Sequence, residues 1–424
     1  MATTLLHLSK VHVRRGMQTV LSGQELTVNG GETVVLWGSN GAGKSTLLET
    51  AAGLLPLEKG HVQHGDVSIV DAQGRRRASP LALGVVLQKN GMLGSERVAE
   101  HLHCAMSTSK QSIDIEPFLE AFDLTHRAND SIANLSQGQA RKVAVLAGLL
   151  PAFASQAPGL LLLDEPGAGL DEGAVKALSG WLEELRALGH GLLLATHDER
   201  LRNHATHLLD LASGSIEAVE VAPETVAARR PSSTPVRRVS PAVYGVRLHL
   251  RTLMWLNTNG MAGLLSLGVL LAMGSFMEGL DDMQQLGFVL APTMAVGLCG
   301  EPLVAALREE RTSAWWRAVS GGEPHAGWLP FALGLLTTLV SATALQGVPT
   351  VQTMVVGATL CGIVWLVRHA RLQEALPDAR ESDGGSAARS HGRDFRCIQN
   401  HAYFAINRDN DYLSTHLYIL NLNI

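Results

Sequence analysis

The residues with the clearest chemical meaning run from Gly38 to Thr46, where the spacing matches the phosphate-binding pattern G-x-x-x-x-G-K-[ST]. Glycines in such a loop let backbone N–H groups close around a phosphate, and the helix that follows adds a favourable dipole. We expect Lys44 to reach the β- and γ-phosphates and the Ser45 hydroxyl to bind Mg²⁺. The expected nucleotide-binding residues of this loop are Gly38, Ser39, Asn40, Gly41, Ala42, Gly43, Lys44, Ser45 and Thr46. The pattern predicts binding of a nucleoside triphosphate.

The elements around this loop are those that the motif requires. Residues 33–37 are apolar and predict a buried strand, and residues 46–49 open a helix. A second apolar run, residues 159–163, predicts a parallel strand covered on both faces, and it ends in Asp164 and Glu165. Two acidic residues at a strand end are weak evidence for a catalytic site by themselves. Beside a phosphate-binding loop they indicate a metal ligand and a general base.

A polar loop at Leu135-Ser136-Gln137-Gly138-Gln139 precedes a long apolar helix, and such a helix N-terminus is a ready anion site. The segment resembles the L-S-G-G-Q signature of ABC-transporter ATPases, with one departure at Gln137. The other motifs of that family follow in order over about residues 4–220. The resemblance implies an α/β P-loop NTPase of ABC type over residues 1–220. Its helical subdomain is expected between Gln88 and the signature, where residues 95–107 and 117–129 have helical apolar spacing.

The same resemblance implies a role for each polar motif residue. Glu165 would polarise the attacking water as general base, and His197, which ends the apolar run 191–196, would contact the γ-phosphate. In this family the signature and the segment Gly169-Leu170-Asp171 act on ATP held by a second ATPase domain, so a homodimer or heterodimer is implied. The implied catalytic residues are Glu165, His197 and Gln88; the metal ligands are Ser45, Gln88 and Asp164; the further ATP-binding residues are Ser136, Gly138, Gln139 and Asp171; and the cofactors are ATP and Mg²⁺.

One feature usual in that family is missing before the phosphate loop. An aromatic side chain would normally stack on adenine there, but residues 11–16 contain His12, Arg14 and Arg15 and no Tyr, Phe or Trp. A planar guanidinium or imidazole can also stack on a base. Triphosphate binding is therefore predicted, whereas selectivity for adenine is left open.

Composition narrows the class of protein further. With 424 residues, 46% hydrophobic and 17% charged, the chain is long enough for two domains and apolar for a soluble protein. Its formal net charge of -5 gives no case for a nucleic-acid partner. The four cysteines lie far apart, so we expect neither disulfides nor structural zinc, and a reducing cytoplasm fits. Met1 leads straight into a predicted strand, so we expect no signal peptide.

After residue 220 the composition changes to that of a linker followed by a membrane domain. Residues 221–245 are rich in Pro, Ser and Arg. Residues 246–370 contain four apolar segments that approach bilayer length, at 260–277, 286–307, 328–345 and 351–367. Arginines precede the first segment and follow the second and the fourth, which places the ATPase and the C-terminus in the cytoplasm by the positive-inside rule. Core helices of a soluble domain are the alternative, but they would not need this charge alternation.

Several polar features of this region have more than one interpretation. Residues 244–256 predict a basic amphipathic helix, either lying on anionic headgroups or merely solvated. The loop 308–327 resembles, more loosely, the cytoplasmic connection of type 2 ABC permeases that transmits ATPase motion to the spans. In it, Trp315 and Trp316 are either contact residues or anchors at the membrane interface. We expect Glu301 to snorkel to that interface. Residues 371–424 are charged, then rich in Tyr and Asn, and we expect a disordered tail. It is either a regulatory extension or a displaced reading frame that replaces further spans.

These observations predict an ABC-type ATPase followed by an all-α transmembrane domain. The predicted function is that of a half-transporter of the plasma membrane, in which ATP binding and hydrolysis drive export of a substrate that these residues do not identify. Its partners would be a second ATPase domain, the lipid bilayer and that substrate. One alternative is a membrane-anchored ABC ATPase doing mechanical work on another protein. The other is a haem-exporter-like ATPase subunit of cytochrome c biogenesis.

Overall fold

The computed structural model describes residues 3–211, 213–219, 230–273, 279, 281–309, 311–345 and 350–375, all within one compact unit that spans residues 1–376. Residues 221–229 of the predicted linker and residues 376–424 of the predicted tail lie outside the described residues. So do residues 274–278 at the end of the first predicted span. The three described cysteines, Cys104, Cys299 and Cys361, are free.

A six-stranded sheet forms the centre of the ATPase part, in the order β11-β10-β3-β9-β8-β6. Neighbouring strands are parallel except for β11, which pairs antiparallel with β10. The strands are β3 (Thr33–Trp37), β6 (Leu83–Val86), β8 (Leu160–Asp164), β9 (Gly191–Ala195), β10 (His207–Asp210) and β11 (Ile216–Ala218). Apart from the last residue of β3, the strands β3, β6, β8 and β9 are buried along their whole length, which explains their unbroken apolar runs.

A second, antiparallel sheet has the order β2-β1-β4-β5. Its strands are β1 (Thr4–Arg15), β2 (Gln18–Asn29), β4 (Lys59–His64) and β5 (Val67–Asp71). Alternate residues of β1, including Leu6 and Leu8, are fully buried and join the same hydrophobic core as the inner strands. The arrangement agrees with the predicted α/β class.

Six helices complete the ATPase part: α1 (Lys44–Ala51), α2 (Val98–Met106), α3 (Glu116–Ala121), α4 (Gln137–Ala154), α5 (Glu172–Ala187) and α6 (Glu199–Arg202). Helix α2 lies within the first of the two segments predicted for the helical subdomain, and α3 begins one residue before the second. Helix α4 begins at Ser136 with a capping box, since the Ser136 hydroxyl accepts from the Gln139 N–H while the Gln139 side chain accepts from the Ser136 N–H.

The described part of the linker follows the surface of the ATPase part. Strand β12 (Thr234–Pro235) pairs with β7 (Gln111–Ser112), and the Val236 N–H donates to the Lys110 carbonyl. The Gln156 side-chain amide donates to the Ser233 hydroxyl at 2.7 Å. Residues 230–240 are therefore held along the helical subdomain by backbone and side-chain hydrogen bonds.

The remaining helices are α7 (Pro241–Thr252), α8 (Met261–Ala272), α9 (Asp282–Leu298), α10 (Leu303–Glu309), α11 (Thr312–Ser320), α12 (Leu329–Leu345) and α13 (Val351–Ala375). They divide between two hydrophobic cores. Side chains of α7, α10 and α11 join the core of the ATPase part. Residues of α9, α12 and α13, including Val296, Leu333 and Trp365, form a second cluster. Helix α7 thus buries Tyr244 and Leu248 against protein, which differs from the predicted headgroup-bound or solvated helix.

The predicted spans agree only in part with these helices. One described helix, residues 351–369 of α13, is long and apolar enough to cross a bilayer, and α7 with residues 256–272 forms a second candidate that is bent by 61°. Helices α9 and α12 are apolar but shorter. The second predicted span was wrong as a single helix, because the chain breaks at Gly300, Glu301 and Pro302. Helix α13 also runs to Ala375, five residues into the predicted tail.

Glu301, expected to snorkel, is instead buried at that break. One of its oxygens, Oε1, lies 2.5 Å from Nε2 of His249, a fully buried side chain on α7. The other, Oε2, accepts the Ala326 N–H at 2.9 Å. The expectation was wrong because a buried carboxylate needs partners rather than water, and this fold supplies both an imidazole and a backbone donor.

Candidate nucleotide-binding site

The register of the central sheet brings the ends of four strands together. Leu36 of β3 pairs with Ala195 of β9, Ala195 pairs with Asp164 of β8, and Leu163 pairs with Val86 of β6. The loops that leave these strands therefore start at one edge of the sheet, the carboxyl edge where α/β proteins bind ligands. Because each predicted motif follows one of these strands, motifs that are far apart in sequence converge here.

The phosphate-binding loop joins β3 to α1. Gly41 and Gly43 have φ angles of +84° and +98°, which side chains with a Cβ rarely adopt, so glycine is required at these turns. Lys44 is buried, and its ammonium donates to the carbonyls of Gly38 at 2.7 Å and Ser39 at 3.1 Å. The lysine charge is thus held over the concave side of its own loop, where a phosphate oxygen would compete for the same donor.

Ser45 of α1 and Asp164 at the end of β8, two of the three expected metal ligands, are brought together by a side-chain hydrogen bond. Burial raises the pKa of Asp164 to about 6, and the nearby carboxylates of Glu165 and Glu49 add to the rise. One hydroxyl and one carboxylate are hard oxygen donors, a set that suits Mg²⁺, which binds few protein ligands and keeps several waters. Among the described residues, no cluster of three or more His, Cys, Asp or Glu side chains forms an all-protein metal site.

Glu165 and His197, the expected catalytic pair, also lie together. His197 Nε2 is 3.6 Å from Glu165 Oε1, and the His197 backbone N–H donates to Glu165 Oε2 at 3.3 Å. Glu165 has a φ of +47°, an uncommon conformation for a residue with a side chain, and its own N–H bonds to the Ala195 carbonyl. The carboxylate is part-exposed at the strand edge, where a water can reach both groups.

A buried arginine that the sequence did not reveal connects several segments of the site by hydrogen bonds. Arg141 lies in the first turn of α4, just after the signature segment, and is almost fully buried. Its guanidinium donates to the carbonyls of Leu87 at 2.7 Å, Asp164 at 2.8 Å and Glu165 at 2.7 Å. It therefore links the signature helix to the ends of β6 and β8. The available signal was a charged residue on the otherwise apolar face of a helix.

The remaining predicted residues lie around this edge. Gln88 follows Leu87 and is exposed. Ser136 and Gly138 are at the N-terminus of α4, and a Cβ added to Gly138 would lie 3.5 Å from the Gly169 carbonyl. Asp171 caps α5 by accepting the Ala174 N–H at 2.8 Å and pairs with Lys142 at 2.5 Å. The signature and the Asp171 segment are thus adjacent to each other within this chain.

The arginines that stand where an adenine-stacking aromatic was sought have carboxylate partners. Arg15 pairs with Glu49 at 2.9 Å, and Arg14 pairs with Glu58 at 3.3 Å. Each guanidinium thus has an ionic partner, so stacking on a base would compete with these pairs.

Helix α11, within the loop predicted to transmit motion, is docked on the ATPase part. Trp315 and Trp316 are both buried, so their interpretation as membrane-interface anchors was wrong. Trp315 fills the space above Gly91, where an added Cβ would come within 2.9 Å of the Trp315 Cβ, and its ring lies 4.8 Å from that of His101. Gly91 is three residues after Gln88, so α11 contacts the segment that leaves the nucleotide site.

Two polar contacts accompany this docking. The Tyr244 hydroxyl of α7 donates to Glu96 Oε1 at 2.8 Å, and its ring lies 4.9 Å from that of Trp316. Glu96 is fully buried and also lies 3.0 Å from His101 Nδ1. At the other end of α11, Arg311 contacts Glu49 of helix α1. The helical part is therefore attached to the ATPase part beside both the phosphate-loop helix and the Gln88 segment.

A phosphate-binding loop, an acidic pair and a histidine at the carboxyl edge of a parallel sheet define a nucleoside-triphosphate-binding α/β domain. Residues 21–168 match the family described as ABC transporter. The chain is 35% identical over 198 residues to the cytochrome c biogenesis ATP-binding export protein CcmA of Gluconobacter oxydans, covering 46% of this chain and 81% of that protein. It is 30% identical over 208 residues to the lipoprotein-releasing system ATP-binding protein LolD of Pseudomonas fluorescens, covering 47% of this chain and 89% of that protein.

A putative ABC transporter ATP-binding protein of Streptomyces coelicolor is 37% identical over 230 residues. This match covers 53% of this chain but only 39% of that protein's length. Among solved structures, the ATP-binding subunit of an ABC transporter is similar at 26% identity and a TM-score of 0.43, over 51% of this chain and 90% of that one. The chain belongs to the ABC transporter family: its N-terminal half is an ABC-type ATPase domain, of an ATP-hydrolysing family.

Proposed function

We propose that this chain is an ABC half-transporter in which ATP binding and hydrolysis at the ATPase part move the helices of residues 241–375. The observation that carries the proposal is the docking of α11. Its two buried tryptophans pack beside Gly91 and His101, so displacement of the Gln88 segment on nucleotide binding would push directly on α11. A helix that served only as an anchor would need no such buried contact.

At the nucleotide site, different residues of this chain are assigned to phosphate binding, metal binding and activation of water. The phosphate loop and Lys44 bind the triphosphate, and Ser45 and Asp164 would hold Mg²⁺, which supplies charge neutralisation at the β- and γ-phosphates. Glu165 accepts the proton of the attacking water, and His197 orients that water against the γ-phosphate. Arg141 fixes the backbone carbonyl of Glu165 and thereby the position of its carboxylate.

The active unit is proposed to be a dimer of ATPase domains. The signature residues Ser136, Gly138 and Gln139 lie at the N-terminus of α4, whereas Lys44 belongs to α1. A second copy that presents its signature to the phosphates would complete each site, with Asp171 near the junction. The second domain belongs to an identical chain in a homodimer or to a related chain in a heterodimer.

The membrane role rests on exposed apolar surface. Helices α8, α12 and α13 present large aliphatic side chains that are each more than half exposed: Leu264, Leu265, Val269, Leu271, Leu336, Val355, Ile363, Leu366 and Val367. So much exposed aliphatic surface is unfavourable in water and favourable in lipid. With arginines on the ATPase side of these helices, we propose the plasma membrane as the location, the ATPase in the cytoplasm and export as the direction.

Similarity to CcmA favours a second candidate function, that of an ATPase subunit for export in cytochrome c biogenesis. The helices of residues 241–375 would then join a complex of other membrane chains. Purification of this chain together with the proteins bound to it distinguishes the two candidate functions. A half-transporter should co-purify only with chains that carry an ATPase domain, whereas an ATPase subunit of cytochrome c biogenesis should bring other membrane chains with it.

Replacing Trp315 by alanine tests the coupling. The change removes a buried aromatic worth about 3–5 kcal/mol of packing from the junction of α11 and Gly91. In protein reconstituted into vesicles, we expect ATP turnover to change by about fivefold or more while ATP affinity is retained. Trp328→Ala is the matched control, because Trp328 is 60% exposed. Trp315→Phe should restore most of the parent rate. Equal turnover in all four proteins would remove the support for coupling through α11.

A further inference from the structure

A cavity of about 800 Å³ lies between the helical subdomain of the ATPase and the start of the helical part, away from the nucleotide site. Helix α2 forms one wall, helix α7 forms the opposite wall, and residues 237–240 close the third side. On each helix the lining residues recur at intervals of one, three and four positions, so one face of each helix borders the cavity. Cys104 and Tyr244, both buried, lie at its base.

The lining carries a strong excess of positive charge in a chain whose net charge is -5. Its charged residues are five arginines and one carboxylate: Arg97, Arg237, Arg238, Arg247, Arg251 and Glu100. Five guanidinium groups around one cavity repel each other unless anions lie between them. A single glutamate neutralises one of these charges.

The contacts of these arginines show which of them are structural. Arg251 contacts Glu100 and donates to the Ser95 carbonyl at 2.5 Å, so it joins α7 to α2. Arg238 donates to the Val319 carbonyl near the end of α11 at 2.8 Å. Both therefore hold the walls together. Burial lowers the pKa of the Arg238 guanidinium.

Arg97, Arg237 and Arg247 have no comparable structural task. Arg247 is largely exposed and lies 3.7 Å from Glu100, a carboxylate that Arg251 already engages. Within the part of the chain that the structure describes, no acidic side chain is within ion-pair distance of Arg97 or Arg237. Guanidinium groups left over around a cavity are suited to bidentate bonds with phosphate oxygens.

We propose that this cavity is a binding site for a phosphate-bearing anion, held by Arg97, Arg237 and Arg247. The anion would bridge α2 of the ATPase part and α7, and α7 leads through a 61° bend into the first apolar helix. Such a ligand would strengthen the attachment between the two parts. The phosphate can come from an anionic lipid headgroup or from a soluble phosphorylated molecule, and both sources offer the same oxygens to the arginines.

Arginine modification by phenylglyoxal, read by peptide mass spectrometry on the full-length protein, distinguishes these sources. One arm compares nanodiscs of phosphatidylglycerol with nanodiscs of phosphatidylcholine. The other adds inorganic pyrophosphate to the phosphatidylcholine nanodiscs. We expect modification of Arg237 and Arg247 to slow about tenfold in at least one arm. Arg75, which is 72% exposed and forms its ion pair with Asp71 outside the cavity, is the internal control and should change less than twofold.

The variant Arg237→Gln distinguishes binding of the anion from a purely structural role of this arginine. Because Arg237 is exposed and outside the ion pairs of the cavity, the variant should fold like the parent, as unfolding by denaturant can verify. It should raise the concentration of phosphatidylglycerol or pyrophosphate that half-protects Arg247 by about fivefold or more. Protection by lipid alone would identify a headgroup site, and protection by pyrophosphate would identify a soluble ligand. Absence of protection in both arms, or equal protection of Arg75, would overturn the proposal.

Discussion

Replacing Arg141 by lysine should weaken the fold and slow catalysis together, because one guanidinium holds three backbone carbonyls of the site. Nη1 donates to the Leu87 carbonyl, and Nη2 donates to the carbonyls of Asp164 and Glu165. A lysine ammonium keeps the charge but is a single point, so it can serve the β6 side or the β8 side and not both. One or two buried acceptors then lose their donor, at about 1–3 kcal/mol each.

We therefore expect the free energy of unfolding to fall by about 2–4 kcal/mol, a large share of the stability of an ordinary domain. The rate constant kcat should fall about tenfold or more, since the carbonyl of the proposed general base is no longer fixed. The KM for ATP should change little, because Lys44 and its loop do not contact Arg141. Arg141→Ala would leave all three acceptors unpaired and is the harsher variant.

Denaturant unfolding gives the stability, and steady-state hydrolysis over a range of ATP concentrations separates kcat from KM. Arg75→Lys is the matched control, because Arg75 is an exposed arginine with an i,i+4 partner and should be neutral within about 0.5 kcal/mol. A lysine variant with parent stability and parent kcat would refute the positioning role of Arg141. So would a variant in which only KM changes.

Three further predictions concern the nucleotide site and the topology. Glu165→Gln should retain ATP affinity while turnover falls by about 10²-fold or more, and Lys44→Ala should instead weaken binding of a labelled ATP analogue at equilibrium. Burial raises the pKa of Asp164 to about 6, so ATPase activity should decline as the pH falls through 6, because protonation removes an anionic ligand oxygen. A carboxylate with an ordinary pKa would keep the activity down to about pH 4. A cysteine at Met283, exposed near the start of α9, should react with an impermeant thiol reagent on intact cells, whereas a cysteine at His325 should react only after lysis. Equal labelling of both would contradict a topology with the start of α9 outside the cell and residue 325 inside.

The strands and loops of the nucleotide site could be predicted because their signals are local. The apolar run 33–37 coincides with β3. Convergence of these motifs follows from parallel strands, whose carboxyl ends share one edge. The physical pattern needed for each element lies within a few residues of the chain.

Arg141 could not be assigned in the same way. Its partners are backbone carbonyls of residues 87, 164 and 165, and every residue has a carbonyl, so no side-chain pattern marks them. The tryptophans of α11 were misassigned for a related reason, since an aromatic pair is equally suited to a protein core and to a membrane interface. Only the tertiary contact with Gly91 and Tyr244 distinguishes the two.

The apolar helices show the limit of composition as a guide to spans. The run 286–307 is apolar enough for one span, yet Gly300 and Pro302 end α9 and leave Glu301 buried against His249. The break was visible in the sequence as a glycine and a proline two residues apart. Hydropathy averages over such residues, whereas the backbone cannot pass them without a turn.

The central proposal, that ATP binding moves the helical part, can be tested by one labelling rate. A cysteine at Met283, in a chain without its four native cysteines and carrying Glu165→Gln, is reconstituted into vesicles. Reaction with an impermeant thiol reagent is then followed with and without ATP. We expect ATP to change the rate several-fold, because closure of the ATPase pair displaces α11 and the helices attached to it. The same rate in both conditions, with ATP shown to be bound, would contradict the coupling and leave an ATPase that is only anchored by its helices.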